Sequence, residues 1–455
     1  MKMKSVVGLI CGVLIIGLMV SPGAHADVKI QELSTVFDEF TVGVDLGMIY
    51  RVDSNPYFGA KLFADGDDST DWGEMYGRIK FTARKDLGWT DLSAQLAPIY
   101  LATVGQDVYG VYKDEDTVAI DRAWLKFGRL LGPLNFTVGM QDIDFEKQFL
   151  VGTARGQDAA LWFPEHASWP FAVRMDGDFG AFDMTAFWGR TSDYTAGGGG
   201  FGPPAKDDVQ GAGLNLHYDI SEANDVYGGA VAKIDDSADA GRVEQNTQTF
   251  NLGFDIAFGG FNLEGEGAIQ TGDVNLLTGE KQDRKAYGGN IRAKYTLPVK
   301  FDPYIKLHYI NLSGDSDPND GDNEEWDPMF WGFPTWNYQV IGELVGEAQL
   351  STPNTNKDDI IVEVGFAPFM PFFVSLSYII HKLDEKYVSL GEGAAVPVSS
   401  DDWAEEFNLF IDWPIHDNLF IHFGAGYVIP GDAAEEYYGS DDDAIFGQMF
   451  FNYSF

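Results

Sequence analysis

The amino-acid sequence predicts an all-β protein: a single transmembrane antiparallel β-barrel of about 18 strands, with short periplasmic turns and long acidic external loops. Three observations carry that expectation. Apolar residues recur at every second position over segments of roughly ten residues. Short turns alternate with long polar loops. A secretory leader opens the chain, and no later run is apolar enough to cross a membrane as a helix.

The leader comes first. Lys2 and Lys4 precede the apolar run SVVGLICGVLIIGLMV, and Ala24-His25-Ala26 follows a Pro-Gly break. A basic n-region, an apolar h-region and an A-x-A site describe a signal peptide, residues 1–26, cleaved after Ala26. The single cysteine, Cys11, lies inside it. A disulfide framework and a cysteine metal site are therefore excluded in what remains. Residues 27–39 read as a periplasmic lead-in and residues 40–455 as the barrel. The formal net charge is −40, which excludes nucleic acid as a partner, because phosphate contacts need Lys/Arg patches. With 45% hydrophobic and 14% aromatic residues the chain is ordered rather than an acidic coil.

The strands come next. In FTVGVDLGMIYRV the apolar set is Phe40, Val42, Val44, Leu46, Met48, Tyr50 and Val52; in TFNLGFDIAF it is Phe250, Leu252, Phe254, Ile256 and Phe258. Alternate side chains of a strand face opposite sides, and strands of this length suit a tilted crossing of a bilayer rather than a soluble sandwich, the alternative reading, where about 5–6 residues are usual. The terminal strand follows the same rule. Phe451, Tyr453 and Phe455 share one face, as in a membrane-inserting C-terminal strand recognised by barrel-insertion machinery.

The connections complete the pattern. Short turns are expected at DLGWT, LLGPL, DGDFG, DISEAND, FGG, LPVKFDP, PFMP and WPIHDN. Between them lie long loops such as TSDYTAGGGGFGPPAKDD and GDAAEEYYGSDDD. One apolar stretch, WNYQVIGELVGEAQL, would make the strand number odd and invert every later turn, so it is assigned to an external loop over 314–357. That loop and 143–170, with its apolar Phe149, Leu150, Leu161, Trp162 and Phe163, are expected to fold into the lumen and narrow it.

Parity then assigns the lumen. Its basic set is Arg78, Lys80, Arg84, Arg122, Lys126, Arg174, Arg292, Lys294 and Lys306; its acidic set is Asp183, Asp255, Glu264 and Glu266. Residues of each sign group on different strands, so opposed walls of charge and a transverse field are expected. The plain alternative is that any barrel lumen is polar and these groups are solvated or paired. In the second loop, Asp315, Asp317, Asn319 and Asp322 fall at spacings that suit calcium, although Asp320 and Trp326 stand where a helix-loop-helix calcium site has glycine and glutamate. No other cofactor is expected. The remaining histidines lie in no Ser/His or HExxH context, and there is no CxxCH for haem, so no enzymatic activity is expected.

The stretch DRAWLKFGRLLGPLNFTVGMQDIDF, the segment Arg174-Met175-Asp176-Gly177, the loop INLSGDSDPNDGDNEEWDPMFWG and the element GYVIPG together resemble the alginate-export type of outer-membrane barrel. The family's Gly-Arg-Gln element reads Gly139-Met140-Gln141 here. The resemblance implies one 18-stranded, monomeric barrel with inward-folded loops and an arginine-lined pore for an anionic polymer.

The combined expectation is a porin-like channel of the Gram-negative outer membrane for passive diffusion of hydrophilic solutes, with anions as one candidate class. Two alternatives stand beside it: export of an alginate-like exopolysaccharide, and a barrel sheath around a periplasmic multihaem cytochrome. Outer-membrane lipid and lipopolysaccharide are the expected surroundings.

Overall fold

The computed structural model describes residues 28–29, 36–59, 69–105, 116–145, 147–152, 169–190, 209–235, 244–276, 279–317, 320–330, 355–391 and 394–455. Among them, eighteen strands form one closed antiparallel barrel. The first six are β1 (Glu39–Ser54), β2 (Ser69–Asp86), β3 (Asp91–Gly105), β4 (Asp116–Leu131), β5 (Leu134–Gln141) and β6 (Trp169–Asp178). The next six are β7 (Phe182–Arg190), β8 (Val209–Ser221), β9 (Asn224–Asp235), β10 (Glu244–Phe258), β11 (Phe261–Asn275) and β12 (Tyr287–Thr296). The last six are β13 (Tyr304–Leu312), β14 (Lys357–Phe369), β15 (Phe372–Lys382), β16 (Asp402–His416), β17 (Leu419–Pro430) and β18 (Ala444–Ser454).

Each strand pairs with its neighbours in sequence, and β18 returns to β1 in a register running from Asp45↔Ser454 to Ser54↔Ile445. Reciprocal 2.7 Å hydrogen bonds between Val44 and Phe455 extend that seam to the last residue. Below it, Val28 and Lys29 of the lead-in pair with Val42 and Thr41. Closure leaves no strand edge unpaired in lipid, which is what makes a sheet viable there.

The turns fall where the sequence places them: 87–90, 132–133, 179–181, 222–223, 259–260, 297–303, 370–371 and 417–418 at one end, with the long connections at the other. β13 pairs directly with β14, so the even strand number holds. WNYQVIGELVGEAQL (336–350) lies outside the described residues. The outer surface carries the expected apolar set, with Leu252, Ile269, Leu307, Val364 and Ile445 all exposed. Strand β18 presents Ile445 and Met449 outward and buries Phe446 within.

The apolar core of this molecule sits inside the barrel. Residues 142–152, after β5, and 313–330, after β13, turn into its long-loop half. There Ile143, Phe145, Phe149, Leu150, Trp326, Met329 and Phe330 pack against Trp169, Phe187, Val231, Ala268, Ile310, Ile361 and Ile379 of the wall. Phe149 stacks on Trp326 at 5.2 Å, and Trp169 meets Phe187 at 4.9 Å and Phe330 at 5.0 Å. A parallel bridge joins Val151 to Phe330, with Phe330 donating to Leu150 and Gly152 to Phe330. The described parts of both loops thus fold inward as one unit. Residues 146, 153–168, 318–319 and 331–354 lie outside the described residues. A second cluster caps the same end, where α1 (Asp432–Tyr438) and residues near Phe58 and Val388 cover Trp403, Phe410 and Phe446.

A buried ion pair ties the second loop to the wall. The Asp327 carboxylate accepts from Lys233 Nζ at 2.8 Å and from Thr247, while Gln270 bonds its backbone N–H and C=O. Burial pushes the Asp327 carboxyl up, but Lys233, Arg284 and the Met329 N–H outweigh it and hold it below the ordinary carboxylate range. The tie is therefore fully present above an unfolded carboxylate pKa of about 3.9 and is lost only as pH falls through the depressed value.

Two outcomes follow from this architecture. Leu252→Arg, on the lipid face midway along β10, is expected to cost about 2–4 kcal/mol in denaturant unfolding from vesicles. Asp327→Ala leaves Lys233 charged and unpaired, weakening loop retention by about 3–5 kcal/mol. Limited proteolysis of the intact barrel should then cut between β13 and β14 at neutral pH, as wild type does only in acid, and the paired variant Lys233→Met/Asp327→Leu should resist again.

Candidate functional site

The candidate site is the lumen on the short-turn side of the packed loops. Alternation along each strand aims its residues there, and the register decides which of them meet. On β1, Asp45 takes Arg78 Nη2 at 2.6 Å and Lys80 Nζ at 2.9 Å, both from β2. Arg78 also reaches Asp121 at 2.9 Å. Asp121 is the extra residue of a bulge, since Ala97 pairs with Arg122 while Pro98 pairs with Ile120. A bulge breaks alternation, so Asp121 and the adjacent Arg122 both face inward and bond to each other, and Arg122 also binds Asp142 at the start of the inward loop. Arg84 lies near Glu39 at the mouth, and Arg174 donates to Asp176 at 2.7 Å. Asp183 sits across from His217 on β8.

On the far wall, Glu264 of β11 lies directly across from Arg292 of β12 and accepts from its Nε at 2.6 Å. Lys147, from the first inward loop, bonds both Asp255 (3.2 Å) and Glu264 (3.3 Å). Desolvation lowers the Lys147 ammonium, but these two carboxylates overcome it and raise it above its ordinary value. Glu266 accepts from Asn251 and Tyr227. Lys306 pairs with Glu363 at 2.6 Å, and Glu363 also accepts from the Tyr304 hydroxyl. Lys294 lies over the Tyr304 ring at 4.2 Å.

This arrangement differs from walls of single sign. Cations and carboxylates interleave and pair across neighbouring strands, because charges turned into a partly dehydrated lumen lose hydration that only a partner replaces. One open cleft, of about 420 Å3, lies at the short-turn mouth, lined by Asn262, Glu264, Arg292, Lys294, Tyr304, Lys306 and Glu363 among others. Strand parity alone missed Asp121, Lys147 and Asp327, and the basic set read from it left out Lys233. Pro98 signals the bulge that redirects Asp121, since proline inside a sheet marks such irregularities. The three others have partners set by loop paths or long-range packing, for which the sequence carries no periodic signal.

The calcium reading gains no support from the described residues. Asp322 is bound to Lys285 at 2.6 Å. Burial pushes the Asp315 carboxyl up to about 6. Asn319 lies outside the described residues, and among those described no group of three or more metal-binding side chains converges.

Comparison with solved structures places the fold among outer-membrane porins. Pseudomonas aeruginosa OccK5 (OpdH) superposes with a TM-score of 0.55 at 8% identity, covering 92% of this chain and 98% of that chain. Acinetobacter baumannii OccAB1 gives 0.58 at 9%, covering 91% and 96%. Pseudomonas aeruginosa OpdK with vanillate gives 0.53 at 10%, covering 91% and 98%. At these identities the likeness is one of fold. Comparison with curated sequences finds no match. The alginate export family matches residues 103–448. That span takes in β4 to β17 and both inward loops, and the chain belongs to the alginate export family of outer-membrane β-barrels.

Proposed function

We propose that this protein is a channel of the outer membrane through which hydrophilic solutes, anionic ones preferentially, pass by diffusion without chemical change. The observation that carries the reading is the open cleft at the short-turn mouth, where Arg292 and Lys306 are balanced by Glu264 and Glu363 and Lys294 adds one cation beyond those pairs. Preorganised cations at a narrow mouth raise the local concentration of anions and orient them. Residues 1–26 act as a cleaved leader in this reading, and the face of Phe451, Tyr453 and Phe455 directs insertion next to lipid and lipopolysaccharide.

Export of an anionic exopolysaccharide is the second reading, favoured by the family match. In that case the same cleft receives successive carboxylates of a polymer from the periplasmic side. The cytochrome-sheath reading draws less support, since residues 142–152 and 313–330 already occupy lumen that a threaded partner would enter.

Planar-bilayer recording of the refolded protein under a salt gradient tests the proposal. Discrete conductance with a reversal potential towards that of the anion is expected. Length-dependent block by uronate oligomers added at the short-turn side would favour polymer export over diffusion of small solutes. Absence of conductance, in wild type and in Asp327→Ala alike, would overturn the channel reading.

A further inference from the structure

We infer that Lys294 is the residue that captures an anionic solute at the short-turn mouth, while the arginines around it serve as structural counter-charges. The inference rests on reading the lumen as a solute path, and it assigns the selective role within that path to one side chain. The inward cations differ in what already occupies them. Arg78 and Lys80 hold Asp45, Arg122 holds Asp121 and Asp142, Arg174 holds Asp176, Arg292 holds Glu264 and Lys306 holds Glu363. An arriving carboxylate must displace one of these partners to bind there, and leaves a charge stranded in the wall.

Lys294 has no carboxylate partner among the described residues. Its ammonium rests on the Tyr304 ring instead, an attraction to the ring face that leaves its N–H donors available. The ring itself is fixed at both ends of the contact. The Tyr304 hydroxyl donates to Glu363 at 2.6 Å, and the ring lies against Gly365, where a Cβ would come within 2.5 Å of it. Lys294 is thus held half-buried beside an open cleft, its charge uncommitted and its position set by a rigid support. Lys126, on β4, also lacks a carboxylate partner among the described residues, but it stands on a different wall and does not line this cleft. It provides a control of equal charge.

Citrate is a suitable probe, titrated calorimetrically at low salt into the detergent-solubilised full-length barrel, an assay that does not depend on conduction. Lys294→Gln is expected to weaken citrate binding by about tenfold or more. Lys294→Arg should retain it, while Lys126→Gln and Lys80→Gln, each removing the same unit of charge, should stay within about twofold of wild type. Tyr304→Leu should weaken binding where Tyr304→Phe, which keeps the ring, should not. No citrate binding by wild type, or an equal loss in Lys126→Gln, would overturn the assignment to Lys294. Binding that follows the expected pattern in a barrel that fails to conduct would support the assignment and separate it from the channel reading.

Discussion

A backbone inside hydrocarbon has no water to bond with, so every N–H and C=O on the spanning strands needs a partner within the chain. The pairing of β18 with β1 meets that demand for the whole sheet. Once the sheet closes, each strand has one face in lipid and one in the lumen, and the two periods of side chains become the outer apolar band and the inner polar wall. The reciprocal bonds of Val44 and Phe455 carry the ladder to the end of the chain. Val28 and Lys29 cover the part of β1 that β18 does not reach.

Closure also creates an interior that must be filled or hydrated. Its two halves solve this differently. The long-loop half is partly filled by Phe145, Phe149, Trp326 and Phe330, apolar side chains packed against the wall. Burial of such rings is favourable by roughly 25 cal/mol per Å2 of apolar surface. The loops still need polar anchors, and Asp327 on Lys233 and Lys147 on Asp255 and Glu264 supply them. The short-turn half keeps its charges, but matches them. Of the residues read from sequence as a basic wall, Arg78, Lys80, Arg122, Arg174, Arg292 and Lys306 are all engaged with carboxylates. Net charge along such a wall says less about selectivity than which cation is left uncommitted.

Much of this was readable beforehand because it depends on local repetition. A period of two over Phe250 to Phe258 gives the face of β10, and the alternation of short turns with long loops gives the strand number, even across WNYQVIGELVGEAQL. The inward course of the first loop was readable from Phe149 and Leu150, whose apolar character conflicts with an external position. Parity also sends Glu264 and Arg292 inward. It does not say that they face each other, because that depends on the register of β11 against β12.

The sequence by itself determined the fold class, the strand count and the outer band, since each follows from alternation along one strand. Tertiary structure alone decided which charges pair, how the bulge at Asp121 turns two successive residues inward, where Asp327 lands and why Lys294 rests on a tyrosine. Many of those contacts join residues far apart in the chain, and a shift of one residue in register reverses every face it touches. Their partners are chosen by the closed geometry of the barrel rather than by any neighbour in the chain.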